Sequence, residues 1–201
     1  WQDFYDLLTQ YRLLEDNYNK LNAAEKPSNK IFLMLGRTIM QAQLHEVLSL
    51  WGDVPYTGAS TIWKTSNYAE AKAKDVYDSD VETYKQILSD LKEVGDYFAA
   101  GNLDATGVAN LKRQDFTLAN GNTDMWRRYV NALRLRIALH LATNGECTAV
   151  ARAAIKEILE NPNTYPLIDE NTQNQGVAAD TQTDDFNYGK TMSQALNGSA
   201  H

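Results

Sequence analysis

The sequence predicts an all-α fold in which helix pairs pack like those of tetratricopeptide repeats and long irregular loops join them. Apolar residues recur three and four positions apart over most of the first 160 residues, which is the period of a helix. No stretch shows the sustained two-residue alternation, bounded by turns, that indicates a strand. Helices that are apolar on two faces alternate with amphipathic ones, as in helical repeats, although the tetratricopeptide consensus residues do not recur at their usual period.

Two helices are predicted before residue 52. Apolar side chains from Phe4 to Leu21 recur at helical spacing on one side of residues 1–24, while the other side is charged and rich in amides. After Pro27, a second helix is predicted to run to about Trp51, with apolar residues on nearly all sides. We therefore expect this second helix to be covered on two sides.

Three further helices are predicted after residue 78. Asp78 or Ser79 is suited to cap the third helix, and Gly101 lies just past its end. The fourth helix is predicted over residues 124–143, has apolar residues on two faces and is predicted to place Trp126, Leu133 and Ile137 in the core. The fifth is predicted over about 149–159, where small and apolar residues form a narrow face.

The remaining sequence indicates loops within one domain. Turn-forming residues in 102–123 predict a long excursion with a single helical turn. Beyond Tyr165 no further regular element is predicted. The length favours a single domain over residues 1–201, with a helical scaffold in 1–160 and a loop-rich segment in 161–201.

The composition excludes several kinds of partner and site. The chain has 19 basic and 26 acidic residues, a net charge of −7, and no run of Lys or Arg, so nucleic acid is not expected as a partner. The longest apolar run, Ile31 to Leu35, is far shorter than the roughly 20 residues of a membrane-spanning helix. Cys147 is the single cysteine and cannot by itself build a zinc site. No metal or other cofactor is predicted.

Both ends of the sequence suggest a longer precursor. Trp1 begins directly in a helical pattern, with no initiator Met and no signal peptide before it. The other end continues through polar residues to His201 without a closing periodic element. We expect an N-terminus that was processed or truncated and a truncated C-terminus.

Three segments carry recognisable motifs. Trp51 to Tyr56 read Trp-Gly-Asp-Val-Pro-Tyr, Tyr77 to Ser79 read Tyr-Asp-Ser before a helix of the form Ile-Leu-x-Asp-Leu, and Trp126 to Arg136 read Trp-Arg-Arg-Tyr-Val-Asn-Ala-Leu-Arg-Leu-Arg. In this order and spacing they resemble the hallmarks of the SusD/RagB family, over roughly residues 1–160. Ala132 stands where that family more often has Ser, and the linker from Gly58 to Asp75 is peculiar to this sequence.

The resemblance implies an extracellular-facing lipoprotein of the Bacteroidetes outer membrane. Such a protein binds a nutrient, often a glycan, and passes it to a SusC-like TonB-dependent transporter beneath it. In the family the helices form a tetratricopeptide-like scaffold, and variable loops form the binding surface. Attachment to the membrane would be only through a lipid anchor that is absent from this chain. The resemblance does not carry over the identity of the ligand, whether sugar, peptide or another nutrient.

The motif residues have structural interpretations of their own. Gly52 suits the position just past a helix, where we predict a positive φ, Pro55 prevents the helix from continuing, and Asp53 is free to accept backbone hydrogen bonds in the turn. Arg134 and Arg136 lie two positions apart on a helix that is predicted to be buried. At least one of them should reach inward to a carboxylate or to helix-end carbonyls, because a buried charge must be paired.

We expect ligand contacts on loops, because the apolar helix faces are committed to packing. An aromatic ring meets the apolar face of a sugar while polar neighbours bind its hydroxyl groups. The predicted ligand-binding residues are Trp63 and Tyr68 in the linker and Phe186 and Tyr188 near the C-terminus, and Tyr165 is a further loop aromatic. The alternative, which we favour for each of them taken singly, is that the aromatic pins a loop to the scaffold.

The sequence favours a binding protein over an enzyme. Asp184 and Asp185 are adjacent, whereas glycoside hydrolysis needs two carboxylates across a cleft. His45 and His140 lie in predicted helices, and the sequence has no His-Glu-x-x-His or Gly-x-Ser-x-Gly motif. The alternative function is a helical protein-interaction scaffold without a small-molecule ligand. A glycoside-cleaving enzyme is a distant third.

Overall fold

The computed structural model describes residues 2–143 and 145–176, and the described residues are mainly helical. In chain order the elements are α1 (Gln2–Lys20), α2 (Lys26–Trp51), β1 (Val54–Pro55), α3 (Ile62–Thr65), α4 (Tyr68–Lys74), β2 (Tyr77–Asp78), α5 (Asp80–Ala99), α6 (Ala105–Gln114), α7 (Thr123–Leu141) and α8 (Thr148–Glu160). Two short 3-10 helices span Gly145–Cys147 and Asn171–Gln173. The all-α class is confirmed.

Helix α2 is the centre of the scaffold. It packs against α1, α5 and α6, while α7 packs against α5 and α8. Its side chains Ile31, Met34, Met40 and Leu44 are fully buried, which accounts for apolar residues on several of its faces. The prediction that α2 is covered on two sides is therefore confirmed. Leu50, in its last turn, remains exposed.

The excursion in residues 102–123 contains more helix than predicted. Helix α6 has ten residues, and its first turn is capped by Asp104, whose carboxylate accepts a hydrogen bond of 2.9 Å from the Gly107 amide. Leu111 is buried, and a Cβ at Gly107 would lie 2.7 Å from the Ser28 carbonyl oxygen of α2. The prediction of a single helical turn was wrong because turn-forming residues at both ends conceal a short helix that is stabilised by this packing.

The fourth predicted helix, α7, supplies much of the core. Trp126, Leu133 and Ile137 are buried on one face. The Trp126 ring meets Tyr129 edge to face at 5.9 Å, and its indole N–H donates to an Asp115 carboxylate oxygen at 2.8 Å. The indole is thus buried with its polar group satisfied.

The two arginines of α7 divide as expected for a core ion pair. Arg134 is buried, and its Nη2 donates to Glu157 of α8 at 2.6 Å. Arg136 points to solvent, where its Nη2 lies 3.7 Å from Glu46. The prediction that at least one of them reaches an inward carboxylate is confirmed by Arg134.

After α8 the described chain has little regular structure. Residues 161–176 contain only the short 3-10 helix Asn171–Gln173. The rest of the predicted loop-rich segment, 177–201, lies outside the described residues. No helix among the described residues combines the length and the apolar character that crossing a membrane requires.

Replacing Trp126 by alanine tests the α7 core. We expect Trp126→Ala to lower the free energy of unfolding by about 3–5 kcal/mol, because it leaves a cavity beside Leu133 and removes the hydrogen bond to Asp115. Urea denaturation would measure the change. Trp126→Phe keeps most of the ring volume and should lower the free energy of unfolding by less. If Trp126→Ala left the free energy of unfolding unchanged, this face of α7 would not belong to the core.

A second test concerns the glycine that ends α2. Gly52 has φ +70° and ψ −130°, which confirms the predicted positive φ. Its amide donates to the Leu48 carbonyl at 2.9 Å. A Cβ there would meet no atom within 4 Å, so strain would come from the backbone alone. We expect Gly52→Ala to lower the free energy of unfolding, measured by thermal denaturation, by roughly 1–3 kcal/mol. A stabilised variant would contradict this.

Candidate functional site

Two acidic residues join the chain after α2 to the start of α5. Strands β1 and β2 pair antiparallel, with Val54 opposite Asp78 and Pro55 opposite Tyr77. Asp53 accepts a hydrogen bond of 2.8 Å from the Asp80 amide in the first turn of α5. We call the paired strands together with Asp53 and Asp78 the clasp. It holds together the two ends of the linker.

Ser79 is the N-cap residue of α5, as one of the two predicted positions, but the capping hydrogen bond is made by Asp53 and not by Asp78 or Ser79. Ser79 occupies the N-cap position, but its side chain makes no capping hydrogen bond. Asp78 instead faces the other strand, where one carboxylate oxygen accepts hydrogen bonds of 2.8 Å from the amides of Tyr56 and Thr57. The Thr57 hydroxyl also donates to this carboxylate. Each motif thus supplies a carboxylate to the backbone of the other.

The electrostatics of Asp78 follow from these contacts. Partial burial by itself would raise its pKa, but the hydrogen bonds from the Thr57 hydroxyl and from the two amides outweigh it. The pKa of the Asp78 carboxyl is therefore lowered. The charged form stabilises the clasp.

Arg12 of α1 reaches the same turn from the opposite side. Its Nη2 donates to the Tyr56 carbonyl at 3.0 Å and makes a longer contact of 3.5 Å with the Thr57 carbonyl. The guanidinium carbon lies 5.0 Å from the centre of the Tyr56 ring, and Nη1 pairs with Glu15 at 3.1 Å. The two residues that lead into the linker are therefore held by charged groups of opposite sign.

The linker encloses two adjoining clefts. One has a volume of about 180 Å³ and is lined by Gly58, Ala59, Ser60, Thr61, Ile62, Tyr68, Ala71, Lys72 and Asp75. The other has a volume of about 410 Å³ and is lined by Tyr5, Pro55, Ala59, Ser60, Asp75 and Tyr77. Ala59, Ser60 and Asp75 line both clefts, so the two adjoin, and we call them together the linker cleft.

Aromatic side chains line both parts of the linker cleft. Tyr68, in the smaller cleft, is 68% exposed, and Tyr77, in the larger one, is 70% exposed. Tyr5 is half-buried, its hydroxyl donates to the Pro55 carbonyl at 3.0 Å, and burial raises its pKa to about 12. Asp75 and Ser60 line both clefts, and the Ser60 hydroxyl donates to the Tyr5 carbonyl at 3.3 Å. This arrangement combines apolar ring faces with donors and acceptors of hydrogen bonds.

The linker is also more regular than the loop in which we expected the ligand contacts. Trp63 lies on α3 and Tyr68 on α4, which is capped by Asn67 through hydrogen bonds from the amides of Ala69 and Glu70. The expectation that candidate residues lie on loops was therefore wrong for these two. Short helices were missed because each is only one or two turns long.

The predicted ligand-binding residues differ in their placement. Tyr68 lines the linker cleft. Trp63 is half-buried and does not line the cleft, but its indole N–H donates at 2.9 Å to the carbonyl of Ser60, which does. Phe186 and Tyr188 lie outside the described residues. Tyr77 was missed, because its position in the Tyr-Asp-Ser motif was interpreted only as the start of a helix.

Tyr165 proves to be an anchor. Its ring is buried, its hydroxyl donates to Asp96 at 2.7 Å, and the Lys92 ammonium donates to the same hydroxyl at 2.8 Å. The Lys92 ammonium also lies 5.3 Å from the ring centre. These contacts fix the segment after α8 to α5, as the alternative interpretation of loop aromatics holds. Within residues 2–143 and 145–176 no group of His, Cys, Asp and Glu is placed to hold a metal ion.

Comparison with known proteins supports the motif resemblance. A family model named SusD-like, with the description "starch-binding associating with outer membrane", matches residues 1–199. A crystal structure from Bacteroides vulgatus ATCC 8482, of a protein proposed to be an outer membrane protein involved in nutrient binding, is similar in fold, with a TM-score of 0.63 and 22% sequence identity. The similarity covers 90% of this chain and 35% of the other, so this chain spans about a third of that protein. No curated protein sequence matches.

The Asp78 carboxylate gives the clasp a defined dependence on pH. Because its pKa is lowered in the folded protein, its contribution to stability is present above the pKa of the unfolded chain, about 3.9, and is lost as the pH falls through the folded value. We expect wild type to exceed Asp78→Asn in the free energy of unfolding at neutral pH, and the difference to shrink below about pH 4.

Urea denaturation between about pH 2.5 and 7 would measure this difference. Asp6→Asn, at an exposed position of α1, is the control for the loss of one negative charge. A difference between wild type and Asp78→Asn that stays constant across this range would show that the Asp78 charge does not stabilise the clasp.

Proposed function

We propose that this chain, which belongs to the SusD-like family, captures a glycan nutrient at the outer membrane and that the glycan binds in the linker cleft. The observation that carries the proposal is the pair of exposed tyrosines, Tyr68 and Tyr77, each lining one of two adjoining clefts that share Asp75 and Ser60. The scaffold helices bury their apolar faces elsewhere, so this surface is available for ligand.

The chemistry of the linker cleft fits a neutral sugar chain. A pyranose presents one face of C–H groups, which packs on an aromatic ring, and a rim of hydroxyl groups, which needs both donors and acceptors. Tyr68 and Tyr77 offer the rings, Asp75 accepts hydrogen bonds, and Lys72 donates them. One Lys and one Asp leave no excess charge among these lining residues, which favours an uncharged ligand over an ionic one.

Family membership supports the wider biological role. We propose that the chain is part of an extracellular-facing lipoprotein that delivers its glycan to a SusC-like TonB-dependent transporter. The chain would then act as a binder and not as an enzyme, with attachment to the membrane through a lipid anchor. The rigid packing of α1, α2 and α5 beneath the clasp supports this role, since a preformed site loses less conformational freedom on binding.

Alanine variants of the two tyrosines test the proposal. We expect Tyr68→Ala and Tyr77→Ala each to raise the Kd for a bound oligosaccharide about tenfold, because each loss removes a stacking face of roughly 1–1.5 kcal/mol. Isothermal titration calorimetry with maltoheptaose and a panel of neutral plant and host glycans would measure Kd. The maltose series comes first because the matching family model describes starch binding.

The control is Phe116→Ala, because Phe116 is 74% exposed but lies outside the linker cleft. It should leave Kd unchanged. Wild-type protein that binds no glycan of the panel would overturn glycan capture by this chain. Binding that survives loss of both tyrosines would place the glycan site elsewhere.

A further inference from the structure

We propose that Arg12 is a positioning residue of the linker cleft: it fixes the peptide groups of Tyr56 and Thr57 and thereby sets the cleft wall that follows them. The inference rests on the proposed function, because it assumes that ligand binds in this cleft. Arg12 does not line the cleft and would not touch the ligand. Its effect would be transmitted through the backbone.

The first step of the argument is the geometry around Tyr56 and Thr57. The carbonyl groups of both residues face Arg12, and the amide groups of both face Asp78. Two consecutive residues are therefore held through their polar backbone atoms on both sides. Charge-assisted hydrogen bonds of this kind are stronger than those between neutral groups.

The second step concerns why the residue is an arginine. Arg12 simultaneously contacts the two carbonyls, pairs with Glu15 and lies over the Tyr56 ring. A planar guanidinium with several fixed donors can make these contacts together, whereas the single ammonium of a lysine cannot reproduce them. The Arg12 side chain is 19% exposed, so its contacts with the Tyr56 carbonyl and Glu15 are partly shielded from water, whereas the contact with the Thr57 carbonyl is exposed.

The third step connects the held residues to the cleft. Gly58 and Ala59 follow Thr57 directly, and both line the linker cleft. A Cβ at Gly58 would collide with the backbone carbonyl of Lys74, so the beginning and the end of the linker pack closely at this glycine. Ala59 is buried. A shift of Thr57 would therefore displace Gly58 and Ala59, which line the cleft.

A matched pair of variants separates positioning from general stability. Arg37 of α2 resembles Arg12 in burial, with 17% of its side chain exposed, and in its contacts, since it donates to the Tyr11 hydroxyl at 3.2 Å and pairs with Glu93 at 2.5 Å. Its partners Tyr11 and Glu93 do not line the cleft. Arg12→Lys and Arg37→Lys both keep the positive charge, and both lose the hydrogen bonds that the guanidinium group makes.

Two measurements apply to each variant. Hydrogen–deuterium exchange reports on the amides of residues 58–75 without any ligand, and calorimetry gives Kd for maltoheptaose or for the glycan that the panel identifies. We expect Arg12→Lys to speed exchange in residues 58–75 by about threefold or more and to raise Kd by about three- to tenfold. Arg37→Lys should change neither, even where both variants lower Tm by the same amount.

The outcomes are distinct. Equal exchange and equal Kd in the two variants, with wild type binding glycan, would overturn the role of Arg12 while leaving the proposed function intact. Wild type that binds no glycan would overturn the proposed function, and the exchange measurement would still decide whether Arg12 holds the linker. Faster exchange with unchanged Kd would show that Arg12 orders the linker but does not position the cleft.

Discussion

The structure depends on an exchange of carboxylates between two segments that are far apart in sequence. Asp53, just past α2, caps α5, and Asp78, just before α5, holds the amides of Tyr56 and Thr57. Backbone groups at helix ends and in turns need partners, and here each segment supplies the partners of the other. This exchange fixes the direction in which α5 leaves the turn and therefore how α5 lies on α2.

The third motif also holds another segment through its backbone, here with arginine donors in place of carboxylates. Arg127 on α7 donates to the carbonyl groups of Asn163 and Thr164, and Arg128 donates to the Leu167 carbonyl. The chain after α8 is thereby held against α7 without regular secondary structure. Charged residues of all three motifs thus hold backbone atoms of other segments.

The sequence was most informative where the cause of a structure is local. Trp126 and Gly52 were correctly placed because helical spacing and the order of residues at a helix end determine burial and positive φ. The cap of α5 was missed because Asp53 lies 27 residues away, and sequence alone does not show which carboxylate reaches a given amide. Tyr68 was chosen as a candidate from its residue type and neighbours and lines the cleft, whereas Tyr77 became a candidate only through the paired strands that place it beside the cleft.

The clasp also bears on how such proteins diversify. Because β1 and β2 pair side by side, residues 56–76 leave the scaffold and return to it at neighbouring points. A replacement of different length or sequence would close over the same two strands, with a closure entropy that changes only slowly with loop length. Recognition could therefore evolve, or be grafted between proteins, as a cassette, while the helices that hold it keep their packing unchanged.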